Sequence, residues 1–310
     1  MQPGCETERL SPIRRLVASG EHVAVGAAGP AVPEHGPPAG LPVLEVGPEP
    51  FSRREWIRHL WEHRGVIGIM ARKDFQARYK RATFGVLWAV ALPLLQAAVM
   101  IFVFSHFIRT GTGVPYGAFV VSGILVWSYF LVTLPAGTTS IVDGTGLTDK
   151  LWFPRAILPM VPCLSGLVGL GISMVILLVA APLLGAPVGV HLLLLIPACA
   201  LMVAFTMALC LVLAALQVYF RDVRFIAYAA LTVWLYATPI MYPSSKVGGL
   251  APWLNVNPMT GIISLFHVAV LGHDRSWVPG VAVSVAVTLV LAIVAVETHR
   301  RLDRKFVDLL

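Results

Sequence analysis

Along this chain, apolar and polar positions separate into long blocks instead of alternating. Uncharged apolar runs extend over about 84–108, 117–141, 158–184, 192–219, 225–241 and 277–296. Each lies near the roughly 17–25 residues a helix needs to cross a bilayer, so the pattern predicts six membrane spans. Pro93 sits inside the first run and predicts a kink there. A further uncharged stretch, 247–273, is broken by Gly248, Gly249, Pro252, Asn255, Asn257, Pro258 and Gly261. Its longest clean run, Ile262–Leu271, holds about ten residues, too few to span, and predicts a re-entrant helical hairpin. Upstream, Trp56, Ile57, Leu60 and Trp61 recur at helical spacing between charges. This predicts an amphipathic helix over Phe51–Arg64 lying in the membrane interface; the plainer reading is a short soluble helix packed on a partner. Residues 1–50 carry nine prolines and seven glycines without periodicity, which predicts a disordered cytoplasmic tail. The expected fold is therefore all-α and integral to the membrane. It has six transmembrane helices within residues 51–310, an N-terminal interfacial helix and a re-entrant hairpin before the last span.

Composition agrees with this reading. The 310 residues are 57% hydrophobic and 13% charged, with mean hydropathy +0.79, whereas a soluble domain carries roughly 25% charged residues. A net charge of +7 raises the question of nucleic acid, but the basic residues cluster at the ends of apolar runs, where they report topology. With six spans, the segments assigned inside after residue 50 hold seventeen Lys and Arg, against Arg109, Lys246 and Arg275 outside. This positive-inside bias puts both termini in the cytoplasm. Counting the hairpin as a span would move Arg300, Arg301, Arg304 and Lys305 outside, against that bias.

Several chemistries are excluded by spacing. Cys5, Cys163, Cys199 and Cys210 form no paired pattern, so neither a disulfide framework nor a zinc cage is read. Arg14-Arg15 lacks the apolar run of a twin-arginine signal. His59-Leu-Trp-Glu62-His63 matches the H-x-x-E-H of inverted zinc proteases, yet no acidic residue follows between Asp74 and Asp143 to complete a site. The segment Asp143–Arg155 is polar but is no P-loop, which requires G-x-x-x-x-G-K-[ST] after a strand; its stretch Asp149–Trp152 predicts a short cytoplasmic helix. Ser165, Gly169 and Ser173 recur at four-residue spacing, which predicts close helix packing. No Asp, Glu, Lys or Arg lies inside the predicted spans, which argues against proton-coupled transport.

With these residues laid out, the chain resembles the ABC-2 type transporter permeases over roughly residues 55–305. Within them it is similar to the branch that exports lipid-linked polysaccharides, O-antigens and teichoic acids. The resemblance rests on Arg72-Lys-Asp-Phe-Gln-Ala-Arg-Tyr-Lys80 running into Leu87-Trp88 and Pro93. It rests also on Phe153-Pro154-Arg155 with Pro159, and on Tyr219-Phe220-Arg221-Asp222 together with Asn257-Pro258. Residues 1–50 depart from the family pattern. The resemblance implies a homodimer in the cytoplasmic (inner) membrane, paired with two ABC ATPase subunits that bind ATP and Mg. The chain itself would hold no cofactor or metal and would be no enzyme, and no nucleic acid would be bound. ATPase motion would enter through Asp149, Lys150, Trp152, Pro154 and Arg155, with Arg72 and Asp74. The helix Phe51–Arg64 would gate the mouth of a channel.

Within that picture, Arg78, Lys80, Arg81, Arg221 and Arg224 are candidates to draw in the phosphate of a lipid-linked glycan, since arginine offers bidentate donors and permanent charge. Flanking a membrane span explains the same residues more plainly, and Arg221-Asp222 also reads as an ion pair or an ATPase contact. Sugar rings stack on aromatics, so Trp127, Tyr129, Phe130, Trp234 and Tyr236 are candidates to line a glycan channel; packing explains them as well. Two other functions remain: an ABC-2 permease for drug or lipid efflux, and a membrane-embedded lipid-phosphate transferase. The second usually needs clustered acids with a metal, and only Asp143, Asp149 and Asp222 lie between the spans on the cytoplasmic side.

Overall fold

The computed structural model describes residues 52–80, 84–107, 115–144, 146, 153–243, 248–272 and 277–302. The expected tail, residues 1–50, lies outside them. Among the described residues every regular element is helical. The chain runs α1 (Arg53–Glu62), α2 (Arg64–Tyr79), α3 (Trp88–Phe107), α4 (Tyr116–Asp143), α5 (Ile157–Leu183), α6 (Leu195–Tyr219), α7 (Val223–Ala237), α8 (Ala251–Leu254), α9 (Pro258–Leu271) and α10 (Trp277–Leu302). Among the described residues four stretches are long and apolar enough to cross a membrane: α4, α5, α6 with its 3-10 lead, and α10. Expected spans at 84–108 and 225–241 correspond to α3, of 20 residues, and α7, of 15. At 1.5 Å per residue α7 extends only about 22 Å.

α4 is the centre of the bundle. It is buried along most of its length and packs against α3, α5, α6, α7 and α9. Its small residues set the spacing. A Cβ on Gly137 would come within 2.5 Å of Cys210 Sγ on α6, and one on Gly123 within 2.9 Å of Ile240. α3, α5 and α10 are apolar on their outer faces. Leu95, Val99 and Phe102 of α3, Val175 and Val179 of α5, and Leu289, Val290 and Ile293 of α10 are all exposed. Contiguous apolar surface of this extent does not face water, and the chain is a multi-pass membrane protein.

Two features fix the geometry of the α4–α5 pair. α4 has 28 residues and α5 has 27, against 20 in α3, which makes α4 about 12 Å longer than α3. The Asp143 end of α4 is itself packed. There Ile141, Phe153, Ile157, Leu158 and Val161 form a separate apolar cluster with Ile67 of α2 and Ala214 of α6. α2 therefore packs beside α5.

α1 begins with a reciprocal cap. The Ser52 hydroxyl accepts from the Glu55 amide, and the Glu55 carboxylate accepts from the Ser52 amide at 2.8 Å. Those bonds hold the Glu55 carboxyl below its usual range, the backbone bond most of all. Trp56 is buried against Ala156, Leu211 and Ala295, while Ile57 and Trp61 are exposed. The helix is thus seated on its own bundle by one tryptophan and leaves an apolar edge outward. Glu297 of α10 adds a tie: it pairs with Arg300 at 2.9 Å, with Arg301, and with Arg53 of α1 at 3.5 Å.

In the region 247–273, α9 starts at Asn257, carries Pro258 in its first turn and ends at Gly272 with φ +70°, as proline-in, glycine-out helices do. Its 14 residues are nearly all buried. Gly261 meets Gly280 of α10 so closely that a Cβ would lie 2.1 Å from the Gly280 carbonyl oxygen.

Candidate functional site: a polar cleft beside the basic helix

The basic junction Arg64–Tyr79 is one continuous helix, α2. Its Ile67, Ala71, Asp74 and Arg78 recur at helical spacing; the first two are buried and the last two half-buried, while Arg72, Lys73 and Lys80 are exposed. Arg78 Nη2 donates to Asp74 Oδ2 at 2.9 Å, and the Ser165 hydroxyl of α5 donates to the same oxygen. Asp74 is therefore engaged between α2 and α5 alongside Arg78, away from Arg72, with which the sequence grouped it.

These side chains border a narrow cleft of about 50 Å³ between α2, α3, α4 and α5. Phe75 and Arg78 come from α2, Ala89 from the start of α3, Ser128, Tyr129 and Thr133 from α4, and Ser165, Gly169 and Ser173 from α5. Of Ser165, Gly169 and Ser173, the two serines are buried as close packing expects, and Gly169 departs from it. A Cβ on Gly169 would meet nothing within 4 Å; the close approach is at Gly166, where a Cβ would lie 2.8 Å from Thr133 Oγ1 and 2.9 Å from the Tyr129 ring. The small-residue stripe faces the cleft, and the glycine one position away closes the helices. Tyr129 donates its hydroxyl to the Cys163 carbonyl at 3.1 Å, which leaves its ring to form part of the wall. Thr133 is fully buried, and its hydroxyl has no hydrogen-bond partner.

The aromatic candidates separate. Trp127 and Phe130 are buried in an edge-to-face cluster with Phe205 and Trp234, at centroid distances of 5.3 to 6.1 Å. They pack within the chain, although their depth in the run alone placed them beside a pathway. Trp234 Nε1 donates to Asn257 Oδ1 at 2.7 Å. Tyr236 is exposed on α7, and its carbonyl accepts from Tyr242.

The turn between α6 and α7 is held by an amide. Gln217 Nε2 donates to the Arg221 carbonyl at 3.1 Å, and Gln217 Oε1 accepts from the Arg224 amide at 2.8 Å. Arg221 and Asp222 are both exposed, and among the described residues no ion pair joins them. Arg224 lies over the Phe225 ring at 4.5 Å. Pro154 and Arg155 are buried at the Asp143 end, while Arg81, Asp149, Lys150 and Trp152 lie outside the described residues. His63 Nδ1 donates to the His59 carbonyl at 2.8 Å.

Sequence reasoning missed Thr133, Ser128, Gln217 and Glu297. The i, i+4 pair Tyr129/Thr133 and the i, i+4 pair Asp74/Arg78 were visible signals, but their meeting across four helices was not.

Comparison with known proteins places these features in context. Residues 66–271 match the family described as ABC-2 type transporter. The chain is similar to the O-antigen export system permease protein RfbA of Myxococcus xanthus, at 29% identity over 221 residues, covering 70% of this chain and 84% of that protein. It is also similar to the O-antigen export system permease protein RfbA of Klebsiella pneumoniae, at 26% identity over 252 residues, covering 79% and 95%.

Proposed function

The chain belongs to the ABC-2 type transporter family, and on that premise we propose that it is the transmembrane permease subunit of an ATP-driven exporter moving a lipid-linked cell-envelope polysaccharide across the cytoplasmic membrane. It is a transporter membrane subunit and not an enzyme. An ABC ATPase partner supplies hydrolysis, binding ATP and Mg outside this chain. The observation that carries the polysaccharide reading is the similarity to O-antigen export permeases along 84–95% of their length.

In this reading the chain crosses the membrane six times with both termini cytoplasmic. α3 and α7 complete the four longer spans, and α8–α9 form the re-entrant hairpin. The positive-inside count supports this orientation. The exposed apolar faces of α3 and α7 suit lipid and a second copy of the chain, giving two permeases with two ATPases. The Asp143 end of α4 then meets the ATPase, so Pro154 and Arg155, buried there, are the described candidates for coupling. α1 lies at the interface as a gate. Arg78, Lys80, Arg221 and Arg224 are the described candidates to meet a lipid phosphate at the inner leaflet, and Tyr236 is the candidate aromatic most exposed to meet a glycan.

The test is co-purification with an ATPase encoded beside this gene, followed by ATP hydrolysis in the presence of the glycan lipid. Deletion of the chain is expected to abolish surface polysaccharide and leave the glycan lipid inside. Intact surface glycan in the deletion strain, with no ATPase associated, overturns the proposal.

A further inference from the structure

The joint between α1 and α2 carries two histidines whose chemistry the transport reading leaves unused. α1 ends at Glu62 and α2 begins at Arg64, so His63 alone lies between them, with φ −86° and ψ 7°. His59 stands one turn earlier, and residues four apart share one face of a helix. We propose that His59 and His63 form an exchangeable binding site for a divalent transition-metal cation, Zn2+, Ni2+ or Cu2+, whose occupancy clamps the α1–α2 joint. The site rests on this geometry and not on the exporter reading, to which it adds a control over the movement of α1.

Three observations carry the inference. The first is separation. The ring centres of His59 and His63 lie 4.9 Å apart, with their planes tilted by 35°. Two imidazoles bound to one Zn2+ at about 2.1 Å and roughly 110° have their centres about 5 Å apart, so the pair already stands at chelating separation. The second is the proton. His63 Nδ1 donates to the His59 carbonyl at 2.8 Å. In the neutral ring that bond leaves Nε2 as the lone-pair donor, the arrangement metal-binding histidines use.

The third is the surroundings. Both histidines are half-buried, open to a cation from solvent. The nearby charges are turned elsewhere: Arg58 Nε donates to Glu62 Oε1 at 3.1 Å, and Arg64 Nη1 donates to the Trp61 carbonyl at 3.1 Å. Among the described residues no third His, Cys, Asp or Glu completes a cluster, so water fills the remaining positions. Two imidazoles and water suit Zn2+, Ni2+ or Cu2+, whereas Mg2+ and Ca2+ need oxygen ligands. Such a shell is neither a structural zinc cage nor a catalytic centre, and the cation exchanges. Its effect follows from position. His59 belongs to the last turn of α1 and His63 to the joint, so a cation held by both links the end of one helix to the start of the next. Only Trp56 of α1 is buried, and the clamp adds a second restraint at the opposite end.

The test uses the full chain in nanodiscs of zwitterionic lipid, purified without a histidine tag. Zn2+ binding is measured by calorimetry, and amide hydrogen exchange over 53–70 is followed with and without Zn2+. His59→Gln and His63→Gln are compared with wild type and with Glu62→Gln, after thermal melting confirms folding. Each histidine variant is expected to lose about 10-fold or more in Zn2+ affinity, because chelation makes the second bond intramolecular. Glu62→Gln is expected to bind as wild type. At Zn2+ about ten times its Kd, exchange over 60–66 is expected to slow by up to about 10-fold in wild type, since opening the joint has to release the cation. Cu2+ in place of Zn2+ is expected to show two nitrogen ligands by electron paramagnetic resonance.

Equal Zn2+ affinity in wild type and both histidine variants overturns the site. So does an equal loss in Glu62→Gln, which makes the carboxylate a ligand. Zn2+ that binds through both histidines but leaves exchange over 60–66 unchanged overturns the clamp. If one histidine variant fails to fold, the other decides. None of these outcomes touches the exporter reading, which stands or falls on ATPase association and surface glycan.

Discussion

Asn257 satisfies every hydrogen-bonding position of its amide. Its oxygen accepts from Trp234 Nε1 at 2.7 Å and from the Met259 amide at 3.0 Å, and its nitrogen donates to the Ala237 carbonyl at 3.2 Å and to Thr238 Oγ1 at 3.1 Å. One side chain thus caps α9 and closes the end of α7. Asn257→Ala leaves an indole N–H and a helix terminus without partners, and is expected to cost about 2–4 kcal/mol, read as a lower melting temperature in detergent. Asn257→Asp keeps both acceptor bonds and should fall between. Glycines give a second contrast. Gly261→Ala drives a methyl into the Gly280 backbone and should prevent accumulation of folded protein, whereas Gly169→Ala meets nothing and should be silent in the same expression and melting assay. At this scale the sequence was half legible. Asn257-Pro258 stands out as a helix start, but Trp234 is 23 positions away, and no spacing pairs them. Asp74 and Arg78 sit at salt-bridge spacing, yet Ser165, which joins them, is 91 positions distant.

Among the elements, α1 is the one whose attachment is most local. A single buried indole, Trp56, seats it against α5, α6 and α10, and the ion pair from Arg53 to Glu297 is well exposed on the arginine side. Trp56→Ala is expected to raise amide hydrogen exchange throughout 53–62 while α4 and α6 stay protected. Arg53→Ala should change exchange little, since exposed pairs contribute about 0–1 kcal/mol. Either variant separates the seating of the helix from the integrity of the bundle. Helix type and order were readable because apolar runs of span length have few alternatives. The run 84–108 gave no sign that α2 before it is a packed helix, because a basic flank and a basic helix have the same composition. Burial of Ile67 and Ala71 distinguishes them, and burial depends on α5, far along the chain.

For the whole molecule, the distribution of charge carries orientation. A green fluorescent protein fused after Leu310 is expected to fluoresce, and alkaline phosphatase fused at the same place to be inactive; the reverse pair places the C-terminus outside and removes the six-span map. Aromatic candidates show what composition withholds. Trp127 and Tyr236 look alike in sequence, each an aromatic inside an uncharged run, but one is enclosed by Phe130 and its neighbours and the other is exposed. Helix rotation decides between them, and rotation is set by the packing of the whole bundle.

The unequal lengths of α3 and α4 have a mechanical consequence. If the membrane holds only as much of α4 as the 20 residues of α3 match, about 12 Å of α4 stands beyond it, and the α4–α5 pair can tilt as a rod about the membrane surface. A sideways push on the Asp143 tip is amplified about 2.5-fold at the Tyr116 end if the pair tilts as a rigid rod. Ser165 of α5 holds Asp74 of α2, so α2 is tied to that rod and a tilt of the pair carries the basic helix with it.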